Sequence, residues 1–260
     1  MIERNILQTW KSKVSLPENF DYWRGTVKRL NPQFSHYFWD DADNREFVKN
    51  HYPWFLATYD GYPAEIYRVD AVRYFWLYHF GGVYIDLDSE CLRPLDDLCR
   101  AHDGVVLGRM GNDPEFVHSI PNAVMMSARR QQFWLYVMHL LMVPTSTRTN
   151  PEDLTGPIIL KAAVDAYTAR DRDPRVTEAI ATVQALMPKQ LWPEGGVTSV
   201  QILPSHYFYP IDWSNPVHQA YFRKRIITNG RRLSSAQATQ LFPESYLATY
   251  WAHSWDYPQS

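Results

Sequence analysis

Asp86 and Asp88 close a short apolar run, Val83 to Leu87, at the end of the segment EIYRVDAVRYFWLYHFGGVYIDLD that spans Glu65 to Asp88. Side chains of an extended strand alternate between faces, so these two carboxylates are expected to project together while Leu87 turns away. Two carboxylates at a strand end make a hard-oxygen site for Mg2+ or Mn2+, typically shared with a phosphate ligand. A bare Asp-x-Asp also occurs in solvated loops, so its neighbours matter. Upstream, Asp70 and Arg73 stand at i, i+3, a spacing that on an exposed helix yields only an ion pair worth roughly a few tenths of a kcal/mol. Here the flanking residues are Val69, Val72, Tyr74 and Phe75, which fits a buried or cleft-facing pair. With Tyr84 one strand position pair before Asp86, the constellation points to chemistry on a nucleotide or phosphate substrate.

These residues need elements to hold them. Helical periodicity runs from Ala64 to Phe80, Gly81-Gly82 supplies a left-handed stop, and Val83 to Leu87 reads as a buried strand. Further strands are expected at Asn5–Trp10, Ser35–Asp40, Gly104–Leu107, Ala123–Met126 and Val197–Leu203. Helices are expected at Pro17–Leu30, from Asp41, and at Gln131–Met142, Gly156–Ala169 and Asp173–Leu186. Strands alternating with helices predict an α/β fold with a mainly parallel sheet, whose ligands sit outside the carboxyl ends of the strands. With no repeat, linker or low-complexity tract, residues 1–260 are expected to form a single domain with helical elaborations.

A net charge of −2 gives no bulk reason to expect a nucleic-acid partner. Aromatic residues make up 15% of the chain, suited both to a core and to stacking on sugar or base rings. Cys91 and Cys99 are the only cysteines, no charged-plus-apolar leader precedes the first elements, and the apolar run near Phe133–Val143 is too short to span a bilayer. Those features predict a soluble protein of the reducing cytoplasm. The basic stretch Arg223, Lys224, Arg225, Arg231 and Arg232 reads as a solvated face, or as a surface for anionic lipid or a phosphorylated acceptor.

The run YRVDAVRYFWLYHFGGVYIDLD resembles the DXD sugar-binding region of glycosyltransferase family 32, which includes Och1-like and inositol-phosphoceramide mannosyltransferases and bacterial capsule or lipopolysaccharide enzymes. Ile6-Leu7-Gln8-Thr9-Trp10, Asn31-Pro32, Phe38-Trp39-Asp40-Asp41, Arg93-Pro94-Leu95, Asn122-Ala123, Thr155-Gly156-Pro157 and Trp251-Ala252-His253-Ser254-Trp255 resemble further blocks of the family. The resemblance implies a GT-A, Rossmann-like nucleotide-sugar-binding fold and metal-dependent, retaining transfer of a hexose from a UDP- or GDP-hexose to a glycan or glycolipid acceptor, as in surface polysaccharide or lipopolysaccharide synthesis. It implies catalytic roles for Asp70, Arg73, Asp86 and Asp88. Donor binding would involve Gln8, Thr9, Trp10, Asp70, Arg73, Tyr84, Asp86, Asn122 and Trp255, and Mn2+ (or Mg2+) would be held by Asp86, Asp88, His253 and Ser254. Together, the cysteine count and the basic stretch lead to the expectation of a cytoplasmic enzyme that could make peripheral contact at the inner face of the membrane.

The chain departs from the family pattern at Leu7, where a His is common, and in the tail, where Thr249 and Tyr250 stand in place of an earlier His and His253 directly precedes Ser254. No carboxylate is evidently placed as a nucleophile, which favours same-face attack by the acceptor. Two other readings compete. A haloacid-dehalogenase-type phosphatase would use Asp86 as nucleophile and Asp88 as general acid/base, but places its motif at the first strand. A non-catalytic sugar-binding module would need no Asp70/Arg73 pair beside a metal–phosphate site.

Overall fold

The structure is a computed structural model that describes residues 1–143, 150–169, 171, 173–222 and 232–252. Its strands are β1 (Asn5–Thr9), β2 (Ser35–Trp39), β3 (Gly82–Ile85), β4 (Ser89–Cys91), β5 (Val105–Gly108), β6 (Val124–Ser127), β7 (Val200–Leu203) and β8 (Leu247–Thr249). The helices are α1 (Glu18–Leu30), α2 (Asp41–His51), α3 (Leu56–Asp60), α4 (Glu65–Phe80), α5 (Asp96–Ala101), α6 (Gln132–Met142), α7 (Pro151–Leu154), α8 (Pro157–Thr168) and α9 (Pro174–Ala185), followed by α10 (Pro216–His218) and α11 (Ser235–Leu241). Most of the long elements fall within one or two residues of the sequence expectation.

Six strands form one sheet in the order β2-β1-β3-β6-β5-β7. β1 pairs in parallel with β2 and β3, and β5 with β7, but β6 runs antiparallel to both β3 and β5. The sheet is therefore mixed, rather than parallel almost throughout. The fold is α/β, as expected. Both sheet faces are covered, so its strands read as continuous apolar runs. Leu7, Tyr84, Val105, Leu107 and Met125 pack under α2, α4, α6, α8 and α9, while Ile6, Val83, Ile85, Val106, Val124 and Met126 face Val27 of α1 and Leu98 of α5. Cys91 and Cys99 are buried and free.

Local chemistry explains the ends of the elements that matter most. α2 starts in a capping box: Asp40 accepts from the Asp43 N–H at 3.0 Å, and Asp43 accepts from the Asp40 N–H at 3.0 Å. The Phe38-Trp39-Asp40-Asp41 block is thus partly a strand-to-helix joint. α4 ends where Gly81 takes φ +65° and its N–H bonds the Leu77 carbonyl at 3.0 Å. Gly82, at φ +108°, opens β3 so close to β1 that a Cβ there would overlap the Asn5 carbonyl oxygen. No other residue type combines that backbone angle with that approach.

β3 stops at Ile85, earlier than the sequence suggests. Asp86, Leu87 and Asp88 lie in a tight turn, closed by the Ser89 N–H on the Asp86 carbonyl at 3.1 Å, that leads into β4. The carboxylates owe their placement to this turn, not to strand alternation. β4 leaves the main sheet and pairs antiparallel with β8, Ser89 opposite Thr249 and Cys91 opposite Leu247. The C-terminal Tyr/Trp-rich segment thus supplies a strand that the sequence pattern does not announce. Among the described residues no helix is long and apolar enough to cross a membrane.

Two glycines test this account. Gly82→Ala is expected to destabilise the protein by about 1–3 kcal/mol or more. Gly25 lies inside α1, where an added Cβ would meet nothing within 4 Å; Gly25→Ala should stabilise by about 0.5–1 kcal/mol. Urea unfolding of both variants checks the two signs.

Candidate functional site

α4 is enclosed by protein on most sides: Tyr67 and the whole run Asp70–Tyr78 are buried. A helix that is apolar around its circumference belongs in a core, so the charged pair on it is carried inside. Arg73 Nη2 lies 2.9 Å from Asp70 Oδ1, with both side chains nearly inaccessible. Arg73 Nη1 donates to the Asn122 carbonyl at 2.8 Å and stands 3.4 Å from Asp86 Oδ1. The guanidinium also lies over the Tyr84 ring, 4.4 Å from its centroid. One buried cation therefore ties α4 to β3, to the turn after it and to the loop before β6.

The surrounding groups fix this cation's partners. Asn122 Nδ2 donates to Asp70 Oδ1 at 3.0 Å and approaches Tyr74 Oη at 3.3 Å, and Tyr74 Oη donates to the Thr155 carbonyl at 2.8 Å. Gly156 comes so near that a Cβ would sit 3.1 Å from Asp70 Oδ2. Tyr209 accepts the Val124 N–H at 2.8 Å and so pins the start of β6 beside Asn122. Neither Tyr74 nor Tyr209 is signalled as a site residue by the sequence, where each reads as one more core aromatic.

At the turn, each carboxylate has one oxygen anchored. Asp86 Oδ1 accepts from Tyr84 Oη at 2.7 Å, and Asp88 Oδ2 accepts from the Ala252 N–H at 2.7 Å. Burial pushes the Asp88 carboxyl up to about 7, with the Asp86 charge adding to the effect. Burial also raises Asp86, against the Arg73 charge and the Tyr84 hydrogen bond. Asp70 is pushed up to about 6 by burial in spite of Arg73, the Asp86 charge adding to it. Three carboxyls thus share one buried arginine, and added positive charge would be stabilised there.

Asp86 and Asp88 form a two-carboxylate oxygen set, the number that Mg2+ or Mn2+ commonly takes from protein when substrate phosphates complete the shell. Among the described residues no group of three His, Cys, Asp or Glu could hold a metal. The carboxylate oxygens not held by Tyr84 or Ala252 would be free to meet a divalent ion shared with a ligand. His253, Ser254 and Trp255 lie outside the described residues, as do Arg223, Lys224, Arg225 and Arg231. Arg232 is described, and it packs on α1, 2.9 Å from Glu18 and over the Tyr22 ring.

The N-terminal candidates line up beside this junction on β1. Thr9 Oγ1 is 3.5 Å from Tyr84 Oη. Gln8 is buried, and its Nε2 has no hydrogen-bond partner among the described residues. Trp10, half-buried just past the strand, meets Phe20 edge-on with centroids 5.0 Å apart. Leu7 is fully buried in the core, so an apolar side chain fits there. Thr249 and Tyr250 are buried too: Thr249 Oγ1 and Ser89 Oγ are 2.8 Å apart, and Tyr250 Oη donates to Glu90 at 2.7 Å. Both serve the β4–β8 ribbon.

Residues 17–104 match a family described as the glycosyltransferase sugar-binding region containing the DXD motif, which bears out the resemblance read from the sequence. The chain is 35% identical over 156 residues to inositol phosphoceramide mannosyltransferase 2 of Schizosaccharomyces pombe, covering 55% of this chain and 43% of that protein. It is 45% identical over 98 residues to mannosyl phosphorylinositol ceramide synthase SUR1 of Saccharomyces cerevisiae, 38% of this chain and 25% of that one. The chain therefore spans less than half the length of these relatives. Its fold is similar to that of the PaToxG glycosyltransferase, with a TM-score of 0.51 at 15% identity over 95% of this chain and 89% of that one. These relatives also overturn one expectation. The cytoplasmic location expected from the sequence does not stand beside these relatives, which are named as enzymes that mannosylate inositol phosphoceramide.

Removing the shared cation should expose the cost of the carboxyls around it. Arg73→Met is expected to cost about 3–5 kcal/mol, since Asp70 is left buried and unpaired. A carboxyl whose folded-state pKa lies above its unfolded value contributes stability at low pH that is lost as pH rises through the folded pKa. The Arg73→Met penalty should therefore be larger at pH 8 than at pH 5, as measured by denaturant unfolding at both.

Proposed function

We propose, for a chain whose residues 17–104 are a glycosyltransferase sugar-binding region containing the DXD motif, that it is a metal-dependent, retaining hexosyltransferase. The donor is a UDP- or GDP-hexose and the acceptor a glycan or glycolipid. Residues 1–260 act as one catalytic domain. The observation that carries this reading is the junction in which buried Arg73 meets Asp70, Asp86 and the Asn122 carbonyl beside an Asp86–Asp88 turn. A structural ion pair needs one carboxylate, whereas this arginine is surrounded by more negative charge than it balances.

Asp86 and Asp88 would hold Mn2+ or Mg2+, which when bound supplies Lewis-acid neutralisation of the departing nucleoside diphosphate. Asp70 and Arg73 would hydrogen-bond the donor sugar, the guanidinium through its forked donors. Tyr84 holds Asp86 in place, and Trp10 would stack on the base. Gln8, with its unpartnered Nε2, and Thr9 lie side by side near the carboxyl end of β1 on opposite faces of the sheet, and would meet the nucleoside at that end; Asn122 keeps Asp70 oriented while reaching the sugar. His253, Ser254 and Trp255 remain the candidates to complete the ion and the leaving-phosphate contacts. With Asp70 locked to Arg73 and Asn122, no free carboxylate is evident as a nucleophile among the described residues, which supports same-face attack by the acceptor hydroxyl.

Mannose is the favoured donor sugar, since the related proteins are named mannosyltransferases, and a phosphoinositol-type glycolipid is the favoured acceptor over a surface polysaccharide or lipopolysaccharide. No geometry favours the phosphatase reading: the motif follows the third strand of the chain and sits beside a buried Arg73.

A panel of UDP- and GDP-hexoses, screened for hydrolysis with and without Mn2+, tests the reading. One donor should be turned over only with the metal. Asp88→Ala should lower that turnover by at least about 100-fold while leaving the fold intact, and Arg73→Lys should lose about as much because an ammonium cannot reproduce the fork. Undiminished turnover in Asp88→Ala would sink the assignment.

A further inference from the structure

One concave site lies beside this junction with no role so far. It is a small, partly open pocket lined by Ile211, Trp213, His218, Gln219, Phe222, Tyr250 and Trp251. Two hydrogen bonds tie one of its walls to Asp88: Tyr250 N–H donates to the Asp88 carbonyl at 2.9 Å, and Ala252 N–H to Asp88 Oδ2 at 2.7 Å. Trp251, between them, sits at φ +55°. A bulky residue in the left-handed region is strained by order 1–3 kcal/mol and persists only when its surroundings over-determine it. Here Trp251 Nε1 donates to the Ile211 carbonyl at 2.6 Å, and its ring packs 5.3 Å from Tyr209. The strained turn does two things at once: it sets an indole into the pocket wall, and it delivers the next N–H to Asp88.

The lining is aromatic with few polar tips. Trp213 and Trp251 are half-buried, so each keeps an accessible part, while Phe222, Tyr250 and Ile211 are buried beneath. Asp212 N–H donates to His218 Nδ1 at 3.1 Å, which puts the ring proton on Nε2 and makes that atom a donor. Flat rings with a fixed donor on His218 and the Gln219 amide, itself bonded to the Trp213 carbonyl, suit a polyhydroxylated six-membered ring, which offers a C–H face to aromatics and hydroxyls at its edge. A long acyl chain would need neither the donor nor a pocket closed by a strained turn.

We propose that this pocket is the acceptor subsite, taking the six-membered polyol ring of the acceptor, a hexopyranoside or a cyclitol, and presenting one of its hydroxyls beside the Asp86–Asp88 turn. The inference rests on the transferase reading, with Trp251 as a positioning residue that couples acceptor wall to carboxylate.

The test separates the two. Wild type and Trp213→Ala are compared in acceptor-independent hydrolysis of the nucleotide sugar, and in binding and glycosylation of methyl α-D-mannopyranoside and myo-inositol, with binding read by saturation-transfer NMR. Trp213→Ala should hydrolyse donor within about two-fold of wild type yet weaken binding of the preferred ring at least ten-fold and raise its KM accordingly. Which probe wild type prefers identifies the ring as sugar or cyclitol. Equal ring binding by the two proteins would overturn the subsite, as would octanol competing as well as either polyol. Absence of any donor hydrolysis in wild type would instead bring down the transferase reading, leaving polyol binding and its loss in Trp213→Ala as the separate measure of the pocket.

Discussion

Everything at this site depends on one guanidinium taken out of water. Arg73 sits inside a helix whose central residues, Asp70 apart, are apolar or aromatic, and its desolvation is offset only because Asp70, Asp86, the Asn122 carbonyl and the Tyr84 ring converge on it. Such an arrangement seldom stabilises a fold better than well-packed hydrophobic residues would. Its persistence in the middle of a core is better explained by what it positions. Each partner comes from a different element, so the cation sets the spacing between α4, the end of β3 and the loop before β6.

A second constraint is steric. α4 must end and β3 must begin within two residues, with β3 pressed against β1. Gly81 makes the turn and Gly82 permits the approach. This joint places Asp86 directly after a buried strand, in the turn from which β4 diverges to pair with β8. The ribbon then carries the C-terminal segment back, and Ala252 reaches Asp88 across 164 residues of sequence. The Asp86–Asp88 turn and the aromatic pocket are thereby joined by backbone hydrogen bonds.

Much of this was legible in the sequence because it is local. The helix over residues 65–80, its glycine stop and the apolar strand after it follow from periodicity and backbone preference within some twenty residues. The i, i+3 spacing of Asp70 and Arg73 likewise fixed their shared face, and the apolar flanks told that the face would be buried. The antiparallel course of β6 was not legible, because a short run such as Val124–Ser127 reads the same in either direction. Nor was the early end of β3, since Asp86 continues an apolar run that only the turn and the β4–β8 pairing cut short. Tyr74 and Tyr209 were invisible among so many aromatics, because their function lies in a hydroxyl whose partner is fifty or more residues away.

The sequence by itself determined the carboxylate–arginine half of the candidate site: which carboxylates and which cation, on which helix and after which strand, and the family they resemble. Spacing within one element is set by backbone geometry and needs no long-range information. Tertiary structure alone decided that Asp88 is held by the backbone of Ala252, that Thr249 and Tyr250 are spent on the ribbon, and that Trp251 is strained into a pocket wall. Those outcomes depend on which distant strands pair, and pairing is settled by packing of the whole sheet rather than by any local pattern.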